Sequence, residues 1–393
     1  MSRFNKKDES RLNVSNLFNE NEDGAPVVSG ISTFSSPNYF VPPSGSTTQR
    51  PSSPGEGMIR FNTDSGHLEY YAQGYWADVI VNNNELGNQT LAADRSAGGT
   101  GTRGVFAGGS DPSDSDVIDY ISISTLGNAQ DFGNLTPGTT SLQSQSVSSS
   151  TRGLIAGGRT PSVVNTIQYI TISSTGNAQD FGGILTRKGL QLPGFSNETR
   201  GIWAGGYTPA QPTIVDTIDY VTIASTGVNA QDFGNLTEAR RGIAAFSSSV
   251  RGVLAGGNGQ PALKSEIQYL TISTTGNTQV FGDLTGGLDF AAGASNSTRG
   301  IVYSGRNPSA TDIIEFVTIS STGNAQDFGD AAIAKVNHNG TSSLTRAIFG
   351  GGDGLSDAID YVTIAATGNA QDFGDLTVAR NQVASFSNGH GGL

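Results

Sequence analysis

The side chains equipped for chemistry are few, and none is spaced for it. The 393 residues hold three histidines, His67, His338 and His390, and no cysteine. The histidines lie far apart, and none shows a metal-ligand spacing such as HxxxH. Without cysteine there is no thiolate nucleophile, no disulfide framework and no Cys-based zinc site. Neither a GxSxG nucleophile elbow nor a Walker loop occurs. The segment DPSDSD at 111–116 alternates side-chain oxygens as a calcium loop does, but lacks the glycine and distal glutamate of an EF-hand. With 34 Asp and Glu residues, a pair of carboxylates at glycosidase separation stays open, yet no acid stands in a singular setting. The chain therefore reads as a non-enzyme with no cofactor and no metal site, whose function belongs to its surfaces.

Those surfaces must be carried by an array. An arginine opens an apolar run six times, at Arg103, Arg152, Arg200, Arg251, Arg299 and Arg346, with gaps of 49, 48, 51, 48 and 47 residues. A period near 50 with Gly-Gly punctuation fits propeller blades rather than helical solenoids, whose periods run about 33–47 residues. Each copy has four apolar segments divided by turn residues. In the copy Thr199–Thr237 they are Gly201–Ala204, Ile218–Ala224 and Ala230–Leu236, with Gly242–Ser247 leading into the next unit. They are rich in Ile, Val, Tyr, Phe and Thr, which suit a pleated surface. Their nearly continuous apolarity, as in Val105–Ala107, predicts strands covered on both faces. The expected fold is all-β, a six-bladed β-propeller over residues 102–393. The first copy enters at its second strand, and about Gln382–Ser387 is a first strand without a blade. That strand is expected to complete the unit begun by residues 102–136 and remove an unpaired edge. The alternative is that residues 86–101 supply it and the C-terminus opens a partial seventh blade.

In such a blade the connections between strands one and two and between three and four share one face, and here they are nearly constant. The connections between strands two and three differ most: Ser110–Val117, Arg159–Thr166, Tyr207–Thr217, Asn258–Glu266, Arg306–Ile313 and Asp353–Ala358. Copies that agree except in one set of loops suggest a scaffold with one adaptable face, or loops that drift unconstrained. The candidate binding groups there are Asp111, Asp114, Asp116, Arg159, Tyr207, Gln211, Gln260, Lys264, Arg306 and Asp353. On the constant face the six arginines are expected to pair with the Asp of NAQD (Asp131, Asp180, Asp232, Asp327, Asp372), or to form an anion- or glycan-binding ring. The fourth copy carries Val280 in place of the acid, so the pairing is not obligatory.

The leader divides in three. Residues 1–56 read as an extended or disordered arm and linker, with Pro42, Pro43, Pro51 and Pro54 in its second half. Residues 57–80 read as a short β-module, with strands at Met58–Phe61, His67–Tyr71 and Tyr75–Val79 and turns at Asn62–Gly66 and Ala72–Gly74. A meander this short cannot bury its own core and is expected to lean on a neighbour or on copies of itself. Residues 81–101 form a polar, Gly-rich hinge. The net charge of −12 argues against a general nucleic-acid binder. No stretch of about 18 apolar residues is present, so no membrane-spanning helix is expected.

The array resembles the kelch-type blade: an ARxxxAxxS strand, a strand ending in Gly-Gly, an Ile-x-Tyr strand, and a strand with an aromatic followed by Leu. It departs from that pattern in carrying Phe (Phe132, Phe181, Phe233, Phe281, Phe328, Phe373) where kelch blades usually carry Trp. Kelch-like oxidases use a Cys–Tyr cross-link, which a chain without cysteine cannot form. The segment GMIRFNTDSGHLEYYAQGYW (57–76) resembles a short module of tail-fibre and other virion structural proteins of tailed phages, marine and cyanobacterial ones above all. Those virions also carry proteins with blade repeats of the TRGxxxGG…IDYxTIxSTGNAxDFGDLT type. The resemblance implies a homotrimeric fibre or appendage on the virion, assembled in the host cytoplasm. Residues 1–80 would attach to other virion proteins, and the propeller would meet a host surface glycan or protein. A kelch-like interaction scaffold outside virions and a glycan-active propeller enzyme are the competing classes.

Overall fold

In the computed structural model the described residues are 42–72, 74–79, 102–111, 113–136, 146–160, 162–186, 190–208, 213–354 and 356–393. The arm before residue 42 and the hinge 81–101 lie outside them. The chain divides into two compact units, Met1–Gly87 and Asn88–Leu393. Among the described residues there is no α-helix, and one 3₁₀ turn at Thr47–Gln49.

The larger unit contains six four-stranded antiparallel sheets. One of them runs Gly194–Ser196, Arg200–Ala204, Thr217–Thr222 and Gln231–Asn235 in chain order. Its second and third strands pair from Arg200↔Thr222 to Ala204↔Ile218. Four further sheets, opened by Ser146–Ser148, Ala244–Ser247, Ala292–Ser295 and Asn339–Ser342, repeat this order. The remaining sheet takes its first strand from the other end of the array: Ala384–Ser387 pairs with Arg103–Ala107, which continues to Val117–Ser122 and Gln130–Asn134.

Six apolar clusters each join side chains of two successive sheets, and one joins the sheet of Ile348 and Phe373 to that of Phe106 and Ile121. This explains why the second strands are buried without alternation. The glycine after each repeated arginine marks the contact. A Cβ on Gly153, Gly252 or Gly300 would lie within 2 Å of Phe386, Phe195 or Phe246 respectively, on the first strand of the preceding sheet. Burying such a ring contributes about 1.5–3 kcal/mol. In the one copy with alanine, Ala347, the corresponding neighbour is the small Ala294 of the same cluster.

Hydrogen bonds join the sheets in the same sense. Arg103, Arg152, Arg200, Arg251, Arg299 and Arg346 donate through Nη1 to the carbonyls of Ile172, Ile223, Ile272, Ile319, Ile364 and Ile123, at 2.9–3.0 Å. Each guanidinium also lies over an aromatic ring of its own sheet, as Arg200 over Tyr220 at 4.9 Å and Arg299 over Phe316 at 4.3 Å. The expected Arg–Asp pairing is therefore corrected. A planar donor beside a strand end finds a carbonyl fixed by the sheet, whereas the carboxylates of Asp131, Asp180, Asp232, Asp327 and Asp372 stay exposed to water. The serine closing each first strand makes a second series. Ser148, Ser196, Ser247, Ser295, Ser342 and Ser387 donate through Oγ to the carbonyls of Ser387, Ser148, Ser196, Ser247, Ser295 and Ser342, at 2.5–2.8 Å. Both series visit all six sheets and return to their first member.

The smaller unit is a sheet of Ser44–Gly45, Ile59–Asn62, His67–Ala72 and Tyr75–Val79. Three strands fall within a residue of expectation. The fourth comes from the supposed linker, where Ser44–Gly45 pairs in parallel with Phe61–Asn62. Its burial is inverted. Glu69 is wholly buried, held by Arg50, by Arg60 at 3.5 Å and by Asn62 Nδ2 at 3.1 Å, while Ile59, Phe61, Tyr70 and Tyr75 face solvent. The Arg50 guanidinium, more than offsetting burial, holds the Glu69 carboxyl below the usual range.

Candidate binding face

In an antiparallel sheet, the connection between strands two and three lies at the same end as the lead-in to strand one. Isolated bridges tie the two together: Ser110↔Asn381, Leu190↔Tyr207, Arg241↔Asn258 and Asp289↔Arg306. Three of the variable connections are small hairpins, Ser110–Asp111 with Ser113–Asp114, Arg159–Thr160 with Ser162–Val163, and Tyr207–Thr208 with Thr213–Ile214. Asp114 and Asp116 are half-buried in the first. Tyr207 lies under the Arg241 guanidinium at 5.7 Å, and Lys264 pairs with Glu238 at 2.6 Å. Gln260 is exposed, its amide N–H bound to Asn258. Gln211 and the side chains of Asp111 and Arg159 lie outside the described residues, as does much of the Tyr207–Thr217 loop. Among the described residues no three His, Asp or Glu side chains converge as a metal site would require.

Two of the expected residues come together, through partners that sequence reasoning passed over. Arg306 makes a paired contact with the wholly buried Asp289, at 3.0 and 2.9 Å, and its guanidinium covers Phe290 at 4.7 Å. Asp289, and to a lesser degree Asp353, raise the Arg306 pKa. Asp353 accepts from Asn337 Nδ2 at 2.8 Å and Asn381 Nδ2 at 3.3 Å. Phe290 and Asn337 belong to a recess of about 40 Å³ lined by Gln191, Pro193, Gly242, Ile243, Phe290, Ala291, Asn337, His338, Asn339 and Gln382. The recess is thus built from the lead-ins, not from the variable loops. The signal was positional: Gln191, Gly242, Phe290, Asn337 and Gln382 each stand five residues before an invariant serine. All five have left-handed backbone, with φ between 55° and 64°.

His338 is buried beside the recess, with Nε2 donating to the Tyr303 carbonyl at 3.2 Å. Burial, assisted by Lys335, lowers its pKa to about 3, so the ring is neutral. The Tyr303 phenol, itself buried and bonded to Asp360, is pushed upward. At the other end of the first strands, the six serines and the small residues before them line a second cavity of about 50 Å³ together with His390. His390 Nε2 donates to the Ser148 carbonyl at 3.2 Å and Nδ1 accepts the Gly392 N–H at 3.1 Å. This fixes a neutral tautomer, and burial lowers its pKa to about 4. Gly391 N–H bonds to the Ser295 carbonyl, so the last residues are seated against the serines.

The buried acids serve as inter-sheet latches. In five of the six sheets the residue between Ile and the aromatic of the third strand receives the turn that follows the preceding sheet. Gln168 accepts from Thr136 N–H, Glu315 from Thr285 N–H, and Asp119 from Thr377. Arg380 meets Asp119 at 2.6 Å and Lys335 meets Asp360 at 2.7 Å, all four side chains being nearly inaccessible. Desolvation raises Asp119 and Glu315.

Compared with known protein families and with curated proteins, the chain matches none.

Proposed function

We propose that the six sheets are the blades of one six-bladed, kelch-like propeller, closed by the strand Ala384–Ser387. We further propose that the chain is a non-enzymatic structural protein of a phage virion. The propeller reading draws support from the serine and arginine series, each of which returns to its start after six sheets. The functional reading draws on one observation above all. A small β-unit that buries its charges and turns Ile59, Phe61, Tyr70 and Tyr75 outward is joined to an array whose inner contacts are uniform and whose lead-in end varies. In this reading residues 1–80 attach to other virion proteins and associate as a homotrimer, through that apolar face. The lead-in end of the propeller is presented to the host surface. Weak contacts there would be strengthened by repetition on the particle. Three of the most deeply buried acids are engaged in inter-sheet contacts, Asp119 with Arg380, Asp360 with Lys335 and Glu315 with Thr285.

Gel filtration with mass measurement tests the assembly. The full chain is expected to be trimeric, and a chain lacking residues 1–100 monomeric. A monomeric full chain overturns the fibre reading. Detection of the chain in purified particles, and its position in a particle map, tests the virion assignment directly.

A further inference from the structure

We infer that the recess formed by Gln191, Phe290, Asn337, His338 and Gln382 is a binding site for a neutral pyranose, taken edge-on by its hydroxyl groups. The inference deepens the proposed contact role of the lead-in end and rests on that reading. Three observations carry it.

The first is backbone strain. Gln191, Phe290, Asn337 and Gln382 hold φ of 56°, 55°, 57° and 58°, a region that favours glycine and makes a bulky residue an outlier. Gly242 occupies the equivalent place in another sheet at 64°, so the fold itself asks only for glycine there. Four side chains are kept at positions where their removal would ease the backbone. Strain retained around a recess is a mark of use.

The second is an excess of unpaired acceptors. Gln191 Oε1 and His338 Nδ1, on two residues that line the recess, are buried and have no hydrogen-bond partner among the described residues. The Gln382 backbone N–H donates to the Asn337 carbonyl at 2.7 Å, and its side-chain amide has no hydrogen-bond partner among the described residues. His338 spends its proton on the Tyr303 carbonyl, so Nδ1 offers only a lone pair. Buried acceptors without donors are costly and uncommon. A ligand that brings several O–H donors relieves them together.

The third is charge. Arg306 near the recess is neutralised by Asp289, whereas Asp353 accepts from the neutral amides of Asn337 and Asn381 and keeps a negative charge that disfavours an anion. The Arg306 guanidinium covers the Phe290 ring, which disfavours a cationic ligand at that ring. An anion would meet unpaired acceptors. What fits is uncharged, rich in hydroxyls, and thin enough to place one edge in about 40 Å³ against a ring.

Saturation-transfer NMR on the full-length chain, with the methyl glycosides of glucose, galactose and mannose and with glucuronate, tests this. Saturable binding of at least one neutral glycoside in the millimolar range is expected, with glucuronate at least about tenfold weaker. In Phe290→Gly the affinity should fall about tenfold or more, while thermal unfolding stays where it was or moves upward. Gln382→Gly should act in the same direction. No saturable binding by any glycoside, equal binding of glucuronate, or binding untouched in both variants overturns the site. Adsorption of the chain to bacterial cells is measured alongside. Glycoside binding without adsorption upholds the site and counts against the contact reading. Adsorption without glycoside binding does the reverse.

Discussion

The two ends of the six first strands make opposite use of one backbone. At the closing end stand six serines, each donating to the carbonyl of the preceding one. Five residues earlier stand Gln191, Gly242, Phe290, Asn337 and Gln382, alike in φ, between 55° and 64°, and of four residue types. The serine is invariant because its hydroxyl is one link in a series that fails if any link is lost. The lead-in residues share only a turn. Their side chains point to no common partner, and so are free to differ. Uniformity here marks what the sheets require of one another, and variety at a strained position marks what they do not require.

The largest test of that contrast is removal of residues 378–393. This takes away Arg380, the strand that pairs with Arg103–Ala107, and two of the six serine bonds. Loss of cooperative melting and aggregation through the bared edge of Arg103–Ala107 are expected. An unchanged melting curve would sink the closed arrangement.

Next comes the buried pair at the same seam. Arg380→Met leaves Asp119 wholly buried without its cation, and deprives the Val117 carbonyl of a donor at 2.9 Å. Breaking such a pair costs about 3–5 kcal/mol, read as a fall in denaturant midpoint at unchanged slope. The double change Arg380→Met, Asp119→Leu should recover a large part of the loss, because the stranded charge is what costs most.

Much of this was legible in the chain before any coordinates. The period, the four segments per copy and the displaced last strand are dictated by hydrophobic patterning, which a repeat displays six times over. The partner of the repeated arginine was not legible. Arg200 and Asp232 look complementary in sequence, but a carbonyl such as that of Ile272 has no letter of its own, and carbonyls were what the geometry offered. The inverted sheet around Glu69 was hidden for a related reason. Its covering cation, Arg50, lies in a Pro- and Ser-rich stretch that reads as linker. The recess escaped because its members belong to five different copies and share a backbone angle, not a residue type.

One histidine from each end gives a third test, by pH. His338 and His390 are neutral when folded, with pKa values lowered to about 3 and about 4 from an ordinary 6.5. The unfolded chain therefore binds protons that the folded chain refuses, and stability falls as pH drops below about 6.5. At pH 5 each histidine should cost about 2 kcal/mol relative to pH 7.5. Asp119 and Glu315, raised by burial, act in the opposite sense, so the histidine share is isolated by substitution. His390→Gln should flatten the fall between pH 7.5 and 5 by about 2 kcal/mol. An equally steep profile in that variant would show that the tail is not seated against the serines.

The smallest effects divide the two ends by sign. Ser247→Ala removes the donor to the Ser196 carbonyl and should destabilise by about 1–2 kcal/mol, since a buried acceptor loses its partner. Gln382→Gly removes a side chain with no hydrogen-bond partner among the described residues and relaxes a backbone at φ 58°. It should be neutral or stabilising, by up to about 1 kcal/mol. Both changes trim polar side chains at cavities, one at the end of a first strand and one two residues before the equivalent strand, so simple loss of packing would give them the same sign. Opposite signs, measured by denaturant midpoint, would mean that the chain sacrifices stability at the lead-in end to keep a side chain there. Equal destabilisation by Gln382→Gly would instead make that residue part of the scaffold, and the contrast between the two ends would fail at its cheapest point.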